Sequence, residues 1–384
     1  MNKGFGMYET AASMQSRGAD IIHLEVGRPS NVTPRHIREA AKSALDKGIV
    51  HYGDLQGLGA LREALAARYS QERGVNYTAN EILITNGVTQ AAYAAFMSGL
   101  DEGDEVIVLA PFYPQHNSKI RLAGARVVEV PLAMRGGMFR LDADALEDAI
   151  TSVTRMVVLI NPANPIGTVY TKAELEDLAS IAKRHDLLVL SDEVYEYITF
   201  DESKHISFAS LPEMKERTIT VNAFTKAYAM DGWRIGYAAA PAHIIADLRR
   251  VTMNTTTHPC VFAQEGALVA VTSSQDCVKE MVDEDRRRRD LVVESLNLVP
   301  GITCPVPQGT IYAFPDVRGF GVMSDQLALQ ILESAHVAVE SGSFYGRNGQ
   351  GHLRICFGSE PYDRVSEAMH RLTDYLTSEN VAKP

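Results

Sequence analysis

Lys226 lies in the segment Asn222-Ala-Phe-Thr225-Lys226-Ala-Tyr-Ala-Met-Asp-Gly232-Trp233-Arg234, directly after a short apolar run of strand length. Four other polar segments share that context: Asn86-Gly87-Val88-Thr89, Pro111-Phe112-Tyr113-Pro114, Asn161-Pro-Ala-Asn164-Pro165-Ile-Gly167 and Ser191-Asp192-Glu193-Val194-Tyr195. Each has an ordinary explanation when read alone. An Asn-Pro or Asp-Glu at a strand end serves as a turn or helix cap, a lone Lys as a surface charge, and Gly87 as a tight turn. Together they bring an amine, a carboxylate, a phenol, a carboxamide and a guanidinium to one region. Such groups can perform nucleophilic and acid–base chemistry and can grip an anion.

What must position them is a set of short, β-branched apolar runs interleaved with helices. Strand runs occur at 81–85, 105–109, 126–131, 155–160, 187–190, 218–221 and 235–239. The stretch from 88 to 100 is an Ala-rich helix, and 171–185 is another, opened by the capping-box pattern Thr171-Lys-Ala-Glu174. Strands that are apolar along their whole length and alternate with helices imply a mostly parallel sheet covered on both faces. Ligands bind beyond the carboxyl ends of such strands, which is where the polar segments fall. The fold class expected is therefore α/β, a mostly parallel central sheet with helices on both faces plus a smaller α/β domain. After about residue 285 the pattern changes, and Asp285 to Glu294 with its four consecutive arginines, 286–289, reads as the wetted face of a helix.

Composition narrows the function classes. The 384 residues are 46% hydrophobic and carry 48 acidic against 37 basic side chains, a net charge of −11, which disfavours nucleic acid as a partner. The four cysteines, Cys260, Cys277, Cys304 and Cys356, form no C-x-x-C pair, so neither a zinc ribbon nor a disulfide framework is indicated, and no metal is expected. Met1 to Thr10 lacks the apolar core of a secretory signal, and no run approaches the ~18 apolar residues of a membrane span. The expectation is a reduced, cytoplasmic protein without membrane contacts.

The stretch Thr225-Lys226-Ala-Tyr-Ala-Met-Asp-Gly232-Trp233-Arg234-Ile-Gly236 resembles the S-K-x-x-x-x-x-G-x-R-x-G signature of pyridoxal-5′-phosphate (PLP) enzymes of the aspartate aminotransferase superfamily, fold type I, class I/II. The N-P-x-N-P-x-G and S-D-E-x-Y matches occur in the family's order. The likeness runs from Glu25-Val-Gly27 to His352-Leu-Arg354. It implies a transaminase that moves an amino group between an L-amino acid and a 2-oxo acid, with PLP as cofactor and a homodimer with shared active sites as the working unit.

By that resemblance Lys226 forms the Schiff base with PLP and later shuttles a proton. Asp192 faces the ring nitrogen and favours its protonated form. Tyr195 and Asn164 hydrogen-bond the ring's phenolic oxygen, and Tyr113 stacks on the ring. The phosphate is held by the amides of Gly87, Val88 and Thr89 at a helix N-terminus, by the Thr225 hydroxyl and by Arg234. Tyr52 reaches the phosphate from the neighbouring subunit. Arg354 binds the substrate α-carboxylate, with Gly27 and Asn164 beside it. The large PLP-binding domain is expected at 46–285, and the small domain, which closes over substrate, at 1–45 and 286–384.

Three positions depart from the pattern. Arg28, in Gly27-Arg28-Pro29, stands where many relatives carry Glu or Gln. It either pairs with a distal substrate carboxylate, favouring aspartate- or glutamate-like acids, or points away toward Glu25 or solvent. His258 falls where relatives have Asn before Pro, and Asp231 precedes Gly232 without an evident reason. Two rivals share these residues. The same constellation serves PLP-dependent lyases, decarboxylases and oxidases, and a regulatory domain that senses PLP or an amino acid would carry a fused DNA-binding module, whereas this sequence starts almost at once with the enzyme-like region.

Overall fold

The computed structural model describes residues 6–378. Seven strands form the central sheet: β1 (Ile82–Thr85), β2 (Glu105–Ala110), β3 (Arg126–Pro131), β4 (Thr154–Ile160), β5 (Leu188–Asp192), β6 (Thr218–Ala223) and β7 (Gly236–Ala239). Their order is β1-β7-β6-β5-β4-β2-β3, and β7 alone runs against its neighbours. The mixed, mostly parallel α/β sheet is the architecture expected.

Why these runs form a doubly covered sheet is visible in their alternation. In β2, Val106 and Val108 pack on one face with Ala91 and Ala95 of the helix Val88–Gly99, while Ile107 and Leu109 pack on the other with Leu175 and Leu178 of the helix Lys172–Arg184. Successive side chains point to opposite faces, so a strand buried on both must be apolar throughout. Each fully buried Val, Leu or Ile contributes roughly 1.5–3 kcal/mol. The capping box is present as read: Thr171 Oγ1 accepts from Glu174 N at 3.3 Å, and Glu174 Oε2 accepts from Thr171 N at 2.8 Å.

Register puts the polar segments level with one another. Asp192 pairs with Ile160 on one side and Val221 on the other, so Asn161, Glu193 and Asn222 emerge from one sheet edge. Because β7 is antiparallel, Arg234, which precedes it, reaches the same edge from the opposite direction. Two strands run longer than the sequence suggested, so Asp192 and Asn222 lie inside β5 and β6 rather than after them.

A second core contains an antiparallel sheet of β8 (Tyr312–Ala313), β9 (Glu340–Ser341) and β10 (Leu353–Cys356), ordered β8-β10-β9. The helices Asp276–Asn297, Ser324–Ala335 and Tyr362–Thr377 cover it. The first of these runs unbroken across position 285, so no linker separates the two cores there. One expectation is corrected on this helix. Arg286 and Arg287 are open to solvent, but Arg288 and Arg289 are 3% and 4% exposed. Four consecutive residues span a full helical turn, so two of them must face inward. Their charge is tolerated because Asp285 pairs with Arg288 at 2.9 Å and Asp201 with Arg289 at 2.6 Å.

Candidate active site

The sheet edge and the second core enclose a cleft of about 900 Å³. Gly27, Arg28, Val88, Thr89, Tyr113 and Asn164 line it, as do Asp192, Tyr195, Thr225, Lys226, Arg234 and Arg354. Of the residues singled out in the sequence, Gly87 lies just outside the lining and Tyr52 does not reach it. Tyr52 is 88% exposed and packs edge-on against His258, ring centres 5.7 Å apart, while His258 Nε2 accepts from the amide of Gly53 at 3.1 Å. His258 therefore shapes the segment that presents Tyr52 outward.

Lys226 Nζ donates to the carbonyl of Gly27 and lies 5.6 Å from the centre of the Tyr195 ring. Burial lowers its ammonium to about 8, and the nearby Arg354 acts in the same direction. A substantial neutral, nucleophilic fraction is thereby present near physiological pH. A second amine, Lys119, also lines the cleft and is lowered to about 8 by burial, but it donates to its own helix at Gln115 O, 3.1 Å away.

Asp192 is buried and held by two donors. The ring nitrogen Nε2 of His116 lies 3.0 Å from its Oδ2, and the amide of Val194 donates to Oδ1 at 3.2 Å. Burial lowers the His116 pKa, so the ring stays neutral and fixes the carboxylate through one hydrogen bond. The following residue, Glu193, is locked below the sheet edge by Ser191, Ser207, the Phe208 amide and His205.

At one end of the cleft, backbone approaches a guanidinium closely. Gly87 has φ +77° and precedes the helix Val88–Gly99; a Cβ on it would lie 2.9 Å from Arg234 Nη2. Arg234 is itself left-handed at φ +54°, a conformation that costs a non-glycine residue about 1 kcal/mol and aims its guanidinium over the Gly87 turn. The carbonyl of Asp231, rather than its carboxylate, accepts from Arg234 Nη1 at 2.8 Å, which gives that residue a use.

Arg354 is 7% exposed, lies over the rings of Tyr312 (4.5 Å) and Tyr345 (5.0 Å), and donates to the carbonyl of Glu25. Its Nε has no partner among the described residues. Tyr195 and Tyr312 share a hydrogen bond of 2.7 Å, and burial pushes Tyr312 up to about 12 and Tyr195 well above its ordinary range, so both remain protonated donors. At Gly27 a side chain would collide with the Tyr312 hydroxyl, 2.0 Å from an ideal Cβ, so the backbone approaches the site closely there. Arg28 sits between the two readings given above: it lines the cleft, yet its half-exposed guanidinium is 3.8 Å from Glu360 rather than turned toward Glu25. The sequence reading missed His116, Tyr312 and Tyr345. Only the apolar strand context of Thr310-Ile-Tyr-Ala-Phe314 hinted at one of them.

A cleft with a buried lysine of lowered pKa, a buried carboxylate and a guanidinium set over a glycine turn defines a class, and comparison bears it out: the chain belongs to the aminotransferases of class I and II, whose family model matches residues 19–372. It is a PLP-dependent transaminase acting between an amino acid and a 2-oxo acid. An aspartate aminotransferase of Pyrococcus abyssi is 39% identical, over 96% of this chain and 94% of its own. The aromatic-amino-acid aminotransferase 2 of Thermococcus litoralis is 39% identical, over 93% of this chain and 92% of its own. Among solved structures, the aspartate aminotransferase of Thermus thermophilus with maleate superposes with a TM-score of 0.90 at 35% identity, covering 96% of this chain and 95% of that one. Among the described residues no helix is long and apolar enough to cross a membrane.

Proposed function

We propose that this cleft holds pyridoxal 5′-phosphate on Lys226 and that the residues around it divide the work of transamination. The observation that carries the reading is the single cleft in which Lys226, Asp192, Asn164, Tyr195, Arg234 and Arg354 meet. The fit to the cofactor is supported by features that the chain alone leaves open. Asn164 Oδ1 is buried without a partner among the described residues, and turning the carboxamide about its last bond would face its donating Nδ2 to a ligand there. The space above Gly87, which a Cβ would fill, suits a phosphate facing the amides of Val88 and Thr89, the Thr225 hydroxyl and Arg234, whereas the Gly87 amide, expected from the sequence as a third donor, is taken by the carbonyl of Thr85 at 2.8 Å.

When bound, the cofactor supplies a conjugated electron sink that weakens bonds at the substrate α-carbon. Asp192, steadied by His116, would hold a proton at the ring nitrogen. Tyr195 and Asn164 would donate to the phenolic oxygen, and Tyr113 would cover the ring. Arg354 would take the α-carboxylate in its planar fork, with Gly27 and Asn164 beside it. The amine of Lys226 would then carry a proton from the α-carbon to C4′ of the cofactor, and in the opposite direction when the 2-oxo acid takes up the amino group.

The outward-facing Tyr52 supports a homodimer in which each subunit completes its neighbour's phosphate site. The two cores support closure of residues 1–45 and 286–384 over 46–285, with the long helix across position 285 as the connection. The four unpaired cysteines suit a cytoplasmic setting. Mixing Tyr52→Ala subunits with Lys226→Ala subunits tests the sharing: hybrid dimers with one intact site should recover activity, and failure of every mixture to do so would refute it.

We propose further that Arg28 turns from Glu360 to a distal substrate carboxylate, as an aspartate- or glutamate-like acid would present. Arg28→Gln should then lower kcat/KM at least tenfold for dicarboxylic substrates and little for neutral ones. An equal loss for both classes would count against it.

A further inference from the structure

The wall of the cleft beyond Arg354 carries two buried carboxylates that the roles above leave unused. Glu25 is 3% exposed; its Oε1 pairs with His23 Nδ1 at 2.8 Å, and its Oε2, shielded from water, meets no donor among the described residues. Glu340 is 5% exposed and pairs directly across the β9–β10 ladder with Arg354. It accepts from the amides of Met7 (3.2 Å) and Ser341 (3.0 Å). Both line the same cleft as Lys226. Among the described residues neither carboxylate forms an ion pair with Arg354, which touches Glu25 only at its carbonyl.

We infer that Glu25, backed by Glu340, forms a subsite for a substrate side chain that ends in an N–H or O–H donor. The inference rests on the transaminase reading, in which Arg354 binds the α-carboxylate and Lys226 works at the α-carbon. The side chain is the one substrate group left to meet this wall. A desolvated carboxylate oxygen without a donor is unfavourable, and a ligand that supplies one removes the deficit. A carboxylate there would face like charge instead. The reaction also needs such an arrangement, because one pocket must accept two different side chains in turn. Arg28, long and half-exposed, suits an acidic partner; Glu25, fixed by His23, suits a donor-bearing one. His23 supports this division, since its hydrogen bond to Glu25 raises the ring's pKa and keeps Oε1 engaged, leaving Oε2 for the ligand.

The test compares substrates matched in shape on the holoenzyme: tyrosine with phenylalanine, and lysine with norleucine. In the wild-type protein the donor-bearing member of each pair should show kcat/KM at least tenfold higher, as a hydrogen bond to a buried charge implies. Calorimetry should give the same order of Kd for two unreactive acids, 3-(4-hydroxyphenyl)propionate binding more tightly than 3-phenylpropionate. In Glu25→Gln the ratio for lysine over norleucine should collapse toward unity. Ratios near unity in the wild type, with every amino acid turned over, would overturn the subsite while leaving the transaminase reading intact. Absence of turnover with any amino acid and 2-oxo acid pair would refute that reading and the inference with it. Should Glu25→Gln fail to fold, the wild-type ratios and the calorimetry decide.

Discussion

Lys226→Ala is expected to lower kcat for transamination by at least about 10⁴-fold, measured as 2-oxo acid formed from an amino acid and a second oxo acid. The cleft offers one amine in a position to do this work. Lys226 lines the cavity with its Nζ over the Tyr195 ring, 5.6 Å from its centre, and its pKa is lowered by burial to about 8. Lys119 has a similar acidity but is turned onto its own helix at Gln115. The chain should still fold, because Lys226 makes no ion pair among the described residues and its one hydrogen bond goes to Gly27. A small primary amine such as methylamine should restore part of the activity to the variant, which a merely structural lysine would not permit. Retention of more than a tenth of the wild-type rate would contradict the assignment.

Asp192→Asn should cost roughly a thousandfold in kcat while leaving the KM for the amino acid within a few-fold. A carboxylate facing a cationic ring nitrogen at about 4 Å and an effective dielectric of 20 is worth about 4 kcal/mol, or roughly three pKa units. A neutral amide keeps the size and the hydrogen bond to the Val194 amide but not the charge. The contact with His116 would have to reverse or loosen, so the variant should also hold the cofactor less tightly. The informative quantity is the split between kcat and KM. A rise in KM with unchanged kcat would mean that Asp192 only shapes the pocket, and its proposed role would fall.

How much of this was legible in the sequence depends on which interactions were local. The strands announced themselves by β-branched apolar runs, and the helix at Lys172–Arg184 by its capping box, because alternation and caps are short-range properties. Lys226, Arg234 and Gly236 were legible as a set because they share the one connection between β6 and β7. His116 was not. Its partner Asp192 is 76 positions away, and nothing in Pro114-Gln-His116 says that the ring points at β5. Tyr312 and Glu340 reach the site from the second sheet, where short strands give weak periodic signals, and Tyr345 from the single helical turn Gly342–Tyr345 that follows. The arginines at 288 and 289 were misread for a related reason. Their charge suggests solvent, and their burial depends on Asp285 and Asp201 being near, the latter 88 residues away in sequence. Arg28 shows the limit from the other side: its exposure was foreseeable, but its counter-ion Glu360 belongs to the far end of the chain.

Reducing the purified holoenzyme with borohydride and mapping its peptides by mass tests the central claim most directly. The cofactor's mass is expected on the peptide that carries Lys226, together with loss of the yellow absorbance and of activity. A protein that stays colourless when the cofactor is supplied, or a label found on Lys119 or another lysine instead, would contradict it.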